Sequence, residues 1–190
     1  MTDTINPILI IINGPSATGK TTIGRQIAKE LNLPFICKDD IKELLFNDLG
    51  WSNREWSKKI GKASFDLLWY IAGKFITTRS SVVIETRFYS DFAKIELEKL
   101  KTEVIFDIIE INCFAEGEVL LKRFEERSKM TRHPGHVDLQ NIDEFKEDLL
   151  RGKADPIEIE SKIIELDTTD FEKINIAKVV ETIRNRKTKN

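Results

Sequence analysis

Apolar residues follow two different patterns along this 190-residue chain. Five short runs are rich in branched apolar residues, as in the strands of a sheet covered on both faces; they are residues 8–12, which are all apolar, and residues 35–37, 81–85, 104–113 and 162–166. Between them apolar residues recur every three or four positions, which predicts helices with one buried face; these cover residues 20–31, 38–46, 52–78, 91–100, 115–130, 143–151 and 171–186. Alternating strands and helices predict a three-layer α/β fold, a five-stranded parallel sheet with helices on both faces.

The helical spacing also predicts which residues are buried. In the longest helix, which Ser52 is expected to cap, the buried face is predicted to comprise Ile60, Ala63, Leu67, Ile71 and Phe75, widened by Leu68 and Ile76. In the last helix the buried residues are predicted to be Ile174, Ala177, Val180 and Ile183. The three tryptophans are expected to pack in the core or between helices rather than to stack on bases; they are Trp51, Trp56 and Trp69.

A glycine-rich turn follows the first apolar run and fits the phosphate-loop pattern G-x-x-x-x-G-K-[ST]. Glycines let the backbone curl so that successive N–H groups converge on a phosphate, and the following helix points its positive end at the same anion. Lys20 is expected to reach the β- and γ-phosphates, and the Thr21 hydroxyl to bind Mg²⁺. The alternative is a plain strand-to-helix turn. The strand before and the helix after favour a nucleotide site formed by Gly14, Ser16, Ala17, Thr18, Gly19, Lys20, Thr21 and Thr22.

Other polar residues follow the remaining strands. Ligands of parallel sheets bind beyond the carboxyl ends of the strands, where this sequence places Asp39, Glu85 and Arg87. Asp39 and Asp40 also precede an apolar helix with Glu43 close behind, the pattern of a helix cap. We assign the capping role to Asp40. Asp39 is either a functional residue of the ligand site or a second capping residue, and both interpretations stay open.

Composition limits the classes of function. A formal charge of −2 gives no overall positive field to attract nucleic acid, so a nucleic-acid partner is possible but not favoured. The longest apolar runs are far shorter than a membrane span, and residues 1–6 contain no recognisable secretory signal. Cys37 and Cys113 fit neither a zinc site nor a disulfide framework, which indicates buried thiols in a reducing cytoplasm. We expect one domain, residues 1–190, as a monomer or homodimer.

The phosphate loop and several weaker motifs together resemble the small P-loop kinases, in particular the bacterial "predicted kinase" group of AAA-type ATP-binding proteins. Polynucleotide kinases, chloramphenicol phosphotransferase and zeta toxins are related to this group. The weaker motifs are the Asp39-Asp40 pair, the strand that ends in Glu85, and the basic helix that leads into residues 132–136, Arg-His-Pro-Gly-His. The resemblance implies a phosphate-loop strand at the centre of the sheet, ATP and Mg²⁺ as cofactors, Asp39 as general base and Lys42 as a substrate contact.

The resemblance extends to Glu85 and Arg87. Glu85 stands where many relatives have the aspartate of a Walker-B strand, which implies that it positions a metal-bound water or the substrate. Arg87 stands where related kinases often carry a small polar residue. It therefore indicates an anionic substrate, or else it is a surface arginine.

A basic helix leads into a segment that Pro134 and Gly135 keep from being helical. Arg123 and Arg127 lie four residues apart, hence on one helix face, and with Arg132 they resemble the lid arginines that neutralise charge during phosphoryl transfer. We therefore expect a lid at about residues 123–140, in which Arg123 contacts the nucleotide and Arg127 and Arg132 act in catalysis. The alternative is a solvated basic face. His133 and His136 alone are too few ligands for a metal site.

These features together predict an ATP-dependent phosphotransferase that moves the γ-phosphoryl group to a hydroxyl of a small molecule or nucleotide-like acceptor. Lys20, Asp39, Arg127 and Arg132 are the catalytic candidates, and Lys42, Glu85 and Arg87 the substrate-binding ones. The alternatives are an ATP-binding regulatory or switch module, a nucleic-acid 5′-hydroxyl kinase and a toxin-like kinase. A GTPase switch is disfavoured, because the sequence lacks both Asn-Lys-x-Asp and Asp-x-x-Gly.

Overall fold

The structure is a computed structural model that describes residues 6–130 and 132–185. Its strands are β1 (Ile8–Asn13), β2 (Phe35–Cys37), β3 (Val82–Glu85), β4 (Asp107–Phe114) and β5 (Lys162–Asp167). Its helices are α1 (Lys20–Leu31), α2 (Lys38–Leu49), α3 (Arg54–Thr77), α4 (Ser90–Glu103), α5 (Gly117–Met130), α6 (Asp143–Arg151) and α7 (Ile176–Arg184). Short 3₁₀ turns cover Pro134–His136, Leu139–Asn141 and Phe171–Lys173.

The strands form one parallel sheet in the order β2-β3-β1-β4-β5. This arrangement confirms the predicted five-stranded parallel sheet and places the phosphate-loop strand at its centre. The register sets Cys37 of β2 beside Glu85 of β3, and Glu85 beside Ile12 of β1. The residues that follow these three strands therefore lie close together at the carboxyl ends of the strands.

Side chains of the sheet alternate between two apolar clusters, one on each face. Leu9 and Ile11 of β1 pack with residues of α3 and α4 on one face. Ile10 and Ile12 pack with residues of α1 and α7 on the other. Successive strand residues point to opposite faces, so the apolar residues of β1, β3 and β4 fill both clusters. No residue of β5, at the edge of the sheet, is fully buried, so the prediction of burial on both faces was wrong for this strand. The three-layer α/β fold is confirmed.

The buried face of α3 differs from the predicted one. Ala63 and Leu67 are exposed; the buried residues are Ser57, Ile60, Ser64, Leu68, Trp69, Ala72 and Ile76. The buried face includes two serines, which a search for apolar spacing does not detect. The Ser64 hydroxyl is satisfied by the Ile60 carbonyl at 2.7 Å. Asn53, not Ser52, caps the helix by accepting a hydrogen bond from the Trp56 N–H.

Two other helix predictions were wrong in detail. Asp40 lies in the first turn of α2 and accepts two hydrogen bonds from Arg25, so it is an ion-pair partner and not the cap. The last predicted helix is a 3₁₀ turn followed by α7, which Asn175 caps, and Ala177 is exposed. The predicted end of that helix, Arg186, lies outside the described residues.

Some smaller expectations are also settled. Cys37 and Cys113 are buried free thiols, as predicted. Of the tryptophans, Trp69 is buried, whereas about half of Trp51 is exposed. The predicted loop after α5 contains two 3₁₀ turns, and Thr131 at its start is not among the described residues. No helix in the described part of the chain is long and apolar enough to cross a membrane.

Candidate active site

The loop between β1 and α1 adopts a conformation that its glycines require. Gly14 has φ 139°, and a Cβ there would lie 2.2 Å from the Cys113 carbonyl oxygen, so no other residue fits. Gly19, at the start of α1, has φ 79° and lies against the ring of Phe171. The Thr18 hydroxyl donates to the Pro15 carbonyl at 3.0 Å and closes the loop on itself. A tightly curled loop followed by a helix N-terminus without a side-chain cap is the geometry of an anion-binding site.

Lys20 is held inside this loop. Its Nζ donates to the Pro15 carbonyl at 2.7 Å, and Glu85 Oε1 lies 4.0 Å away. Burial lowers the pKa of Lys20, and the nearby Glu85 carboxylate opposes that effect. A buried ammonium with only a distant carboxylate is electrostatically ready for a phosphate.

Glu85 connects the phosphate loop with the end of β2. Its Oε2 accepts hydrogen bonds from the Thr21 hydroxyl and from the Cys37 thiol, both at 2.9 Å. Burial and the Glu85 carboxylate raise the pKa of Cys37 far above its ordinary value, so this thiol is a hydrogen-bond donor and not a nucleophile. The described residues contain no cluster of three metal-binding side chains. The oxygens of Thr21 and Glu85 nevertheless suit Mg²⁺, which takes few protein ligands when it binds with a nucleotide.

Asp39 is paired with a residue from the segment after α5. Arg132 Nη1 lies 2.9 Å from Asp39 Oδ2, while Arg132 Nε donates to Asp138 Oδ2 at 3.0 Å. Burial would raise the pKa of Asp39, but the charges of Arg132 and Lys38 outweigh it and hold this pKa well below its usual range. The structure thus brings the base candidate and one lid candidate together in an ion pair.

Lys42 lies one helical turn after Asp39 and is only 6% exposed. Its Nζ hydrogen-bonds the Ser57 hydroxyl at 3.0 Å, beside Gly61 of α3. In residues 6–130 and 132–185 no carboxylate lies within 4 Å of this ammonium group. Burial and the charge of Lys38 lower the pKa of Lys42 to about 8. Lys42 is therefore a buried cation with no carboxylate in ion-pair contact among the described residues, although the more distant charges of Asp39 and Asp138 oppose the lowering of its pKa.

Residues 132–138 pack into the cleft between α2 and α3. His133 stacks on Phe46 with ring centroids 5.3 Å apart, and Gly135 lies against the same ring. His136 Nε2 bonds Glu43 Oε1 at 2.9 Å, and burial together with Arg132 lowers the pKa of His136 to about 2. Both histidines have packing roles here, and neither belongs to a metal cluster of the described residues.

The two arginines of α5 have different surroundings. Arg123 donates to the carbonyls of Thr168 and Thr169 at 2.8 Å, and its guanidinium lies 4.0 Å from the centre of the Phe171 ring. Arg127 Nε is buried with no hydrogen-bond partner in the described residues. Burial and the charge of Arg132 lower the pKa of Arg127. Arg123 therefore ties α5 to the loop after β5, whereas the buried Nε of Arg127 has no hydrogen-bond partner among the described residues.

Two predicted residues lie at the margin of this arrangement. Arg87 is paired with Asp148 at 2.9 Å and lies over the ring of Tyr89. Its charge is already matched, which removes the reason for inferring an anionic substrate from it. Thr22 is exposed in the first turn of α1.

Sequence reasoning missed Glu43, Ser57 and Asp138 as members of the cluster around Asp39. All three act by tertiary contact, Ser57 from α3 and Asp138 from the segment after α5. Glu43 had appeared only as part of a capping pattern. A hint for Asp138 was its position six residues after Arg132, since an acidic residue near a lid arginine is a possible partner.

Comparison with known proteins places the chain among kinases. A family model described as "AAA domain" matches residues 9–151. The solved structure of a "putative kinase" from Chloroflexus aurantiacus is 35% identical, with a TM-score of 0.89 over 94% of this chain and 97% of that one. Shikimate kinase of Acinetobacter baumannii, solved with shikimate, is 19% identical, with a TM-score of 0.51 over 97% of this chain and 96% of that one. It supports the fold alone.

A further match is to the shikimate kinase of Baumannia cicadellinicola, which is 46% identical over 43 residues. These residues make up 22% of this chain and 25% of that enzyme, so the match spans about a quarter of the relative's length.

Proposed function

Because the chain belongs to the AAA domain family and is one of its P-loop kinases, we propose that it transfers the γ-phosphoryl group of ATP to a hydroxyl of a small acceptor molecule. The observation that carries the proposal is the convergence of three strand ends. The phosphate loop follows β1, Asp39 follows β2, and Glu85 ends β3 between them. Phosphoryl transfer needs a phosphate cradle and a group that positions the nucleophile on the same side of a sheet.

The phosphate loop binds the nucleotide in this proposal. N–H groups from Ser16 to Thr22 and the end of α1 surround the phosphates, and Lys20 exchanges the Pro15 carbonyl for a phosphate oxygen. Mg²⁺ bound with ATP would supply charge neutralisation at the phosphates, with the Thr21 hydroxyl as its protein ligand. Glu85 accepts from that hydroxyl and so holds it in place.

Asp39 accepts the proton of the acceptor hydroxyl. In the described arrangement Arg132 occupies this carboxylate, which makes it a weak base. Transfer therefore requires Arg132 to turn from Asp39 toward the phosphates while Asp138 retains the opposite side of its guanidinium. Arg127, whose buried Nε has no partner among the described residues, helps to neutralise the same phosphate charge. We propose that residues 1–190 form one kinase domain in which the segment 123–140 closes as a lid.

The acceptor is best matched by a small hydroxyl compound with an anionic group. The cleft between α2 and α3 holds Lys42, whose ammonium group has no carboxylate within 4 Å among the described residues, on the same helix face as Asp39. A carboxylate or phosphate on the acceptor would pair with Lys42 and so place a hydroxyl near Asp39. The 43-residue match to a shikimate kinase makes hydroxy acids the first compounds to test.

The test is ATP consumption with acceptors in matched anionic and neutral pairs, namely shikimate with methyl shikimate and glycerate with glycerol. A 5′-hydroxyl oligonucleotide is the separate arm for a nucleic-acid acceptor. We expect acceptor-dependent ADP release, a phosphorylated product by mass spectrometry, and a preference for the anionic member of a pair. Asp39→Asn should lower the transfer rate by about 10²-fold or more while the Kd for ATP stays unchanged. ATP binding without any phosphorylated product would instead favour a regulatory module.

A further inference from the structure

A buried polar pair lies on the β1–β4 boundary beside the phosphate loop. Asn13, the last residue of β1, and Glu110 of β4 are both fully buried. Asn13 Nδ2 donates to Glu110 Oε1 at 2.8 Å, and the Ile157 N–H donates to Glu110 Oε2 at 3.0 Å. Both carboxylate oxygens therefore accept hydrogen bonds, as an ionised carboxylate requires.

Glu110 and two main-chain N–H groups together fix which way the Asn13 amide points. A carboxylate only accepts hydrogen bonds, so the NH₂ group of Asn13 must face it and the amide oxygen must face the other way. That oxygen accepts from two main-chain N–H groups, those of Gly14 at 2.8 Å and Phe88 at 3.0 Å. Gly14 opens the phosphate loop, and Phe88 lies in the connection after β3. The Asn13 amide oxygen thus links the start of the phosphate loop to the connection that follows β3.

We propose that Glu110 is a positioning residue for the phosphate loop, which acts through the Asn13 amide on the N–H groups of Gly14 and Phe88. Gly14 has a φ that only glycine tolerates and its Cα lies against Cys113, so the loop starts from a conformation with little freedom. Holding its N–H fixes the direction in which the following residues curl. Burial raises the pKa of Glu110, and the hydrogen bonds from Asn13 and Ile157 oppose that rise. These hydrogen bonds therefore stabilise the Glu110 carboxylate as a hydrogen-bond acceptor in apolar surroundings.

The role can be tested by inverting donors and acceptors. In Glu110→Gln one of the two side-chain positions becomes a donor. If the new NH₂ faces Ile157, it meets an N–H group. If it faces Asn13, the Asn13 amide must rotate and turn its own NH₂ toward the N–H groups of Gly14 and Phe88. Either orientation sets donor against donor.

The double variant Asn13→Asp with Glu110→Gln restores every hydrogen bond. The new carboxylate at position 13 accepts from Gly14, from Phe88 and from the amide NH₂ at position 110, whose oxygen accepts from the Ile157 N–H. Positions 13 and 110 keep their shapes and the buried charge is retained. Recovery in the double variant therefore reports on the hydrogen-bond pattern and not on side-chain volume.

The matched control is Asn112→Ala. Asn112 is buried in β4 two residues after Glu110, and its Nδ2 donates to the Ala154 carbonyl at 2.9 Å. It has no hydrogen bond to the phosphate loop among the described residues. Loss of the Asn112 hydrogen bond should lower the free energy of unfolding without changing the conformation of the phosphate loop.

Two readouts are needed: amide hydrogen exchange at Gly14 and Phe88, and the Kd of ATP by calorimetry. We expect Glu110→Gln to speed exchange at both amides and to raise the Kd of ATP by about tenfold, as for one lost buried hydrogen bond. The double variant should restore slow exchange and a Kd within about threefold of wild type. Asn112→Ala should change neither.

Three results would overturn the proposal. One is unchanged exchange and ATP affinity in Glu110→Gln. Another is a double variant that regains the wild-type melting temperature but not the exchange rates or the affinity. The third is an Asn112→Ala protein with the same defects, which would show a general loss of stability. If Glu110→Gln alone does not fold, the double variant tests the proposal by itself: slow exchange and a Kd within about threefold of wild type support it, and faster exchange or a weaker Kd contradicts it. Lack of ATP binding by the wild type would refute the nucleotide site, whereas the exchange readout would still test Glu110.

Discussion

Replacing Lys42 by methionine should make the free protein more stable at neutral pH. Lys42 is almost fully buried, has one hydroxyl partner and no carboxylate partner in the part of the chain that the structure describes. Its pKa is lowered from 10.5 to about 8. Since one pKa unit corresponds to about 1.4 kcal/mol, keeping this ammonium charged inside the fold costs about 3 kcal/mol. Methionine has a similar length and carries no charge.

The expected gain is smaller than this cost, because the hydrogen bond to Ser57 is lost as well. A hydrogen bond of this kind contributes about 1 kcal/mol, which leaves a net gain of about 2 kcal/mol. For a chain of this size each kcal/mol raises Tm by about 2–4 °C, so Lys42→Met should melt about 4–8 °C higher. Urea unfolding at pH 7 measures the free energy directly.

The gain should depend on pH in a defined direction. Below about pH 8 Lys42 is charged in both the folded and the unfolded protein. Between pH 8 and about 10.5 the folded protein loses the proton first, so the unfolded state binds more protons and wild-type stability rises with pH. The advantage of Lys42→Met should therefore shrink between pH 7 and pH 10. Lys62→Met is the matched control, since Lys62 is exposed on α3 and paired with Asp66.

A lower stability of Lys42→Met at pH 7, with a difference that does not change with pH, would refute the reasoning. Lys42 would then be a structural residue held by Ser57 and Phe46. If the prediction holds, the chain retains a buried charge that weakens its own fold. An anionic group on the acceptor is the partner that would justify that charge.

Three further predictions concern the phosphate loop and the lid. Lys20→Ala should fold but bind ATP too weakly to measure by calorimetry, since a charge-assisted phosphate contact is lost; undiminished affinity would contradict the phosphate-loop assignment. Gly14→Ala should express poorly or melt far below wild type, because its Cβ would overlap the Cys113 carbonyl; a normal Tm would show that the loop has another conformation. Arg127→Ala and Arg132→Ala should lower kcat by about 10²-fold or more with little change in the Kd of ATP, and full kcat in both would make the basic helix a solvated face.

The sheet was predictable because its signals are local. Each strand is rich in apolar residues, β1 is a nearly unbroken branched run, and the loop at Gly14 has a strict spacing. Parallel strands joined by helices permit few arrangements, so the position of Asp39 and Glu85 at one edge followed from chain order. The family resemblance then supplied the central place of β1, which spacing alone does not give.

The buried face of α3 was not predictable from apolar spacing. Ser57 is buried where α2 and the segment after α5 approach α3, and its hydroxyl contacts Lys42 and the His136 carbonyl. The buried Ser64 hydroxyl donates to the Ile60 carbonyl of its own helix. A serine that satisfies its hydrogen bonds inside the fold looks in the sequence like a surface residue. The partners that would reveal it are far away along the chain. For the same reason Asp138 was missed, since its role depends on the direction in which Arg132 extends.

The pairing of Arg132 with Asp39 changes how the two predicted roles relate to each other. Taken separately, a base after β2 and a lid arginine appear independent. In the structure they share one ion pair, and Asp138 holds the other side of the same guanidinium. While the pair persists, Asp39 cannot accept a proton readily, because its pKa is held far below its usual range. In the mechanism proposed above, water near the nucleotide is then not activated. An acceptor that enters the cleft beside Lys42, together with phosphate charge that attracts Arg132, would release Asp39 when a substrate is present to use it. In that mechanism, the contact with Arg132 that makes Asp39 a poor base alone also makes its activity conditional on both ligands.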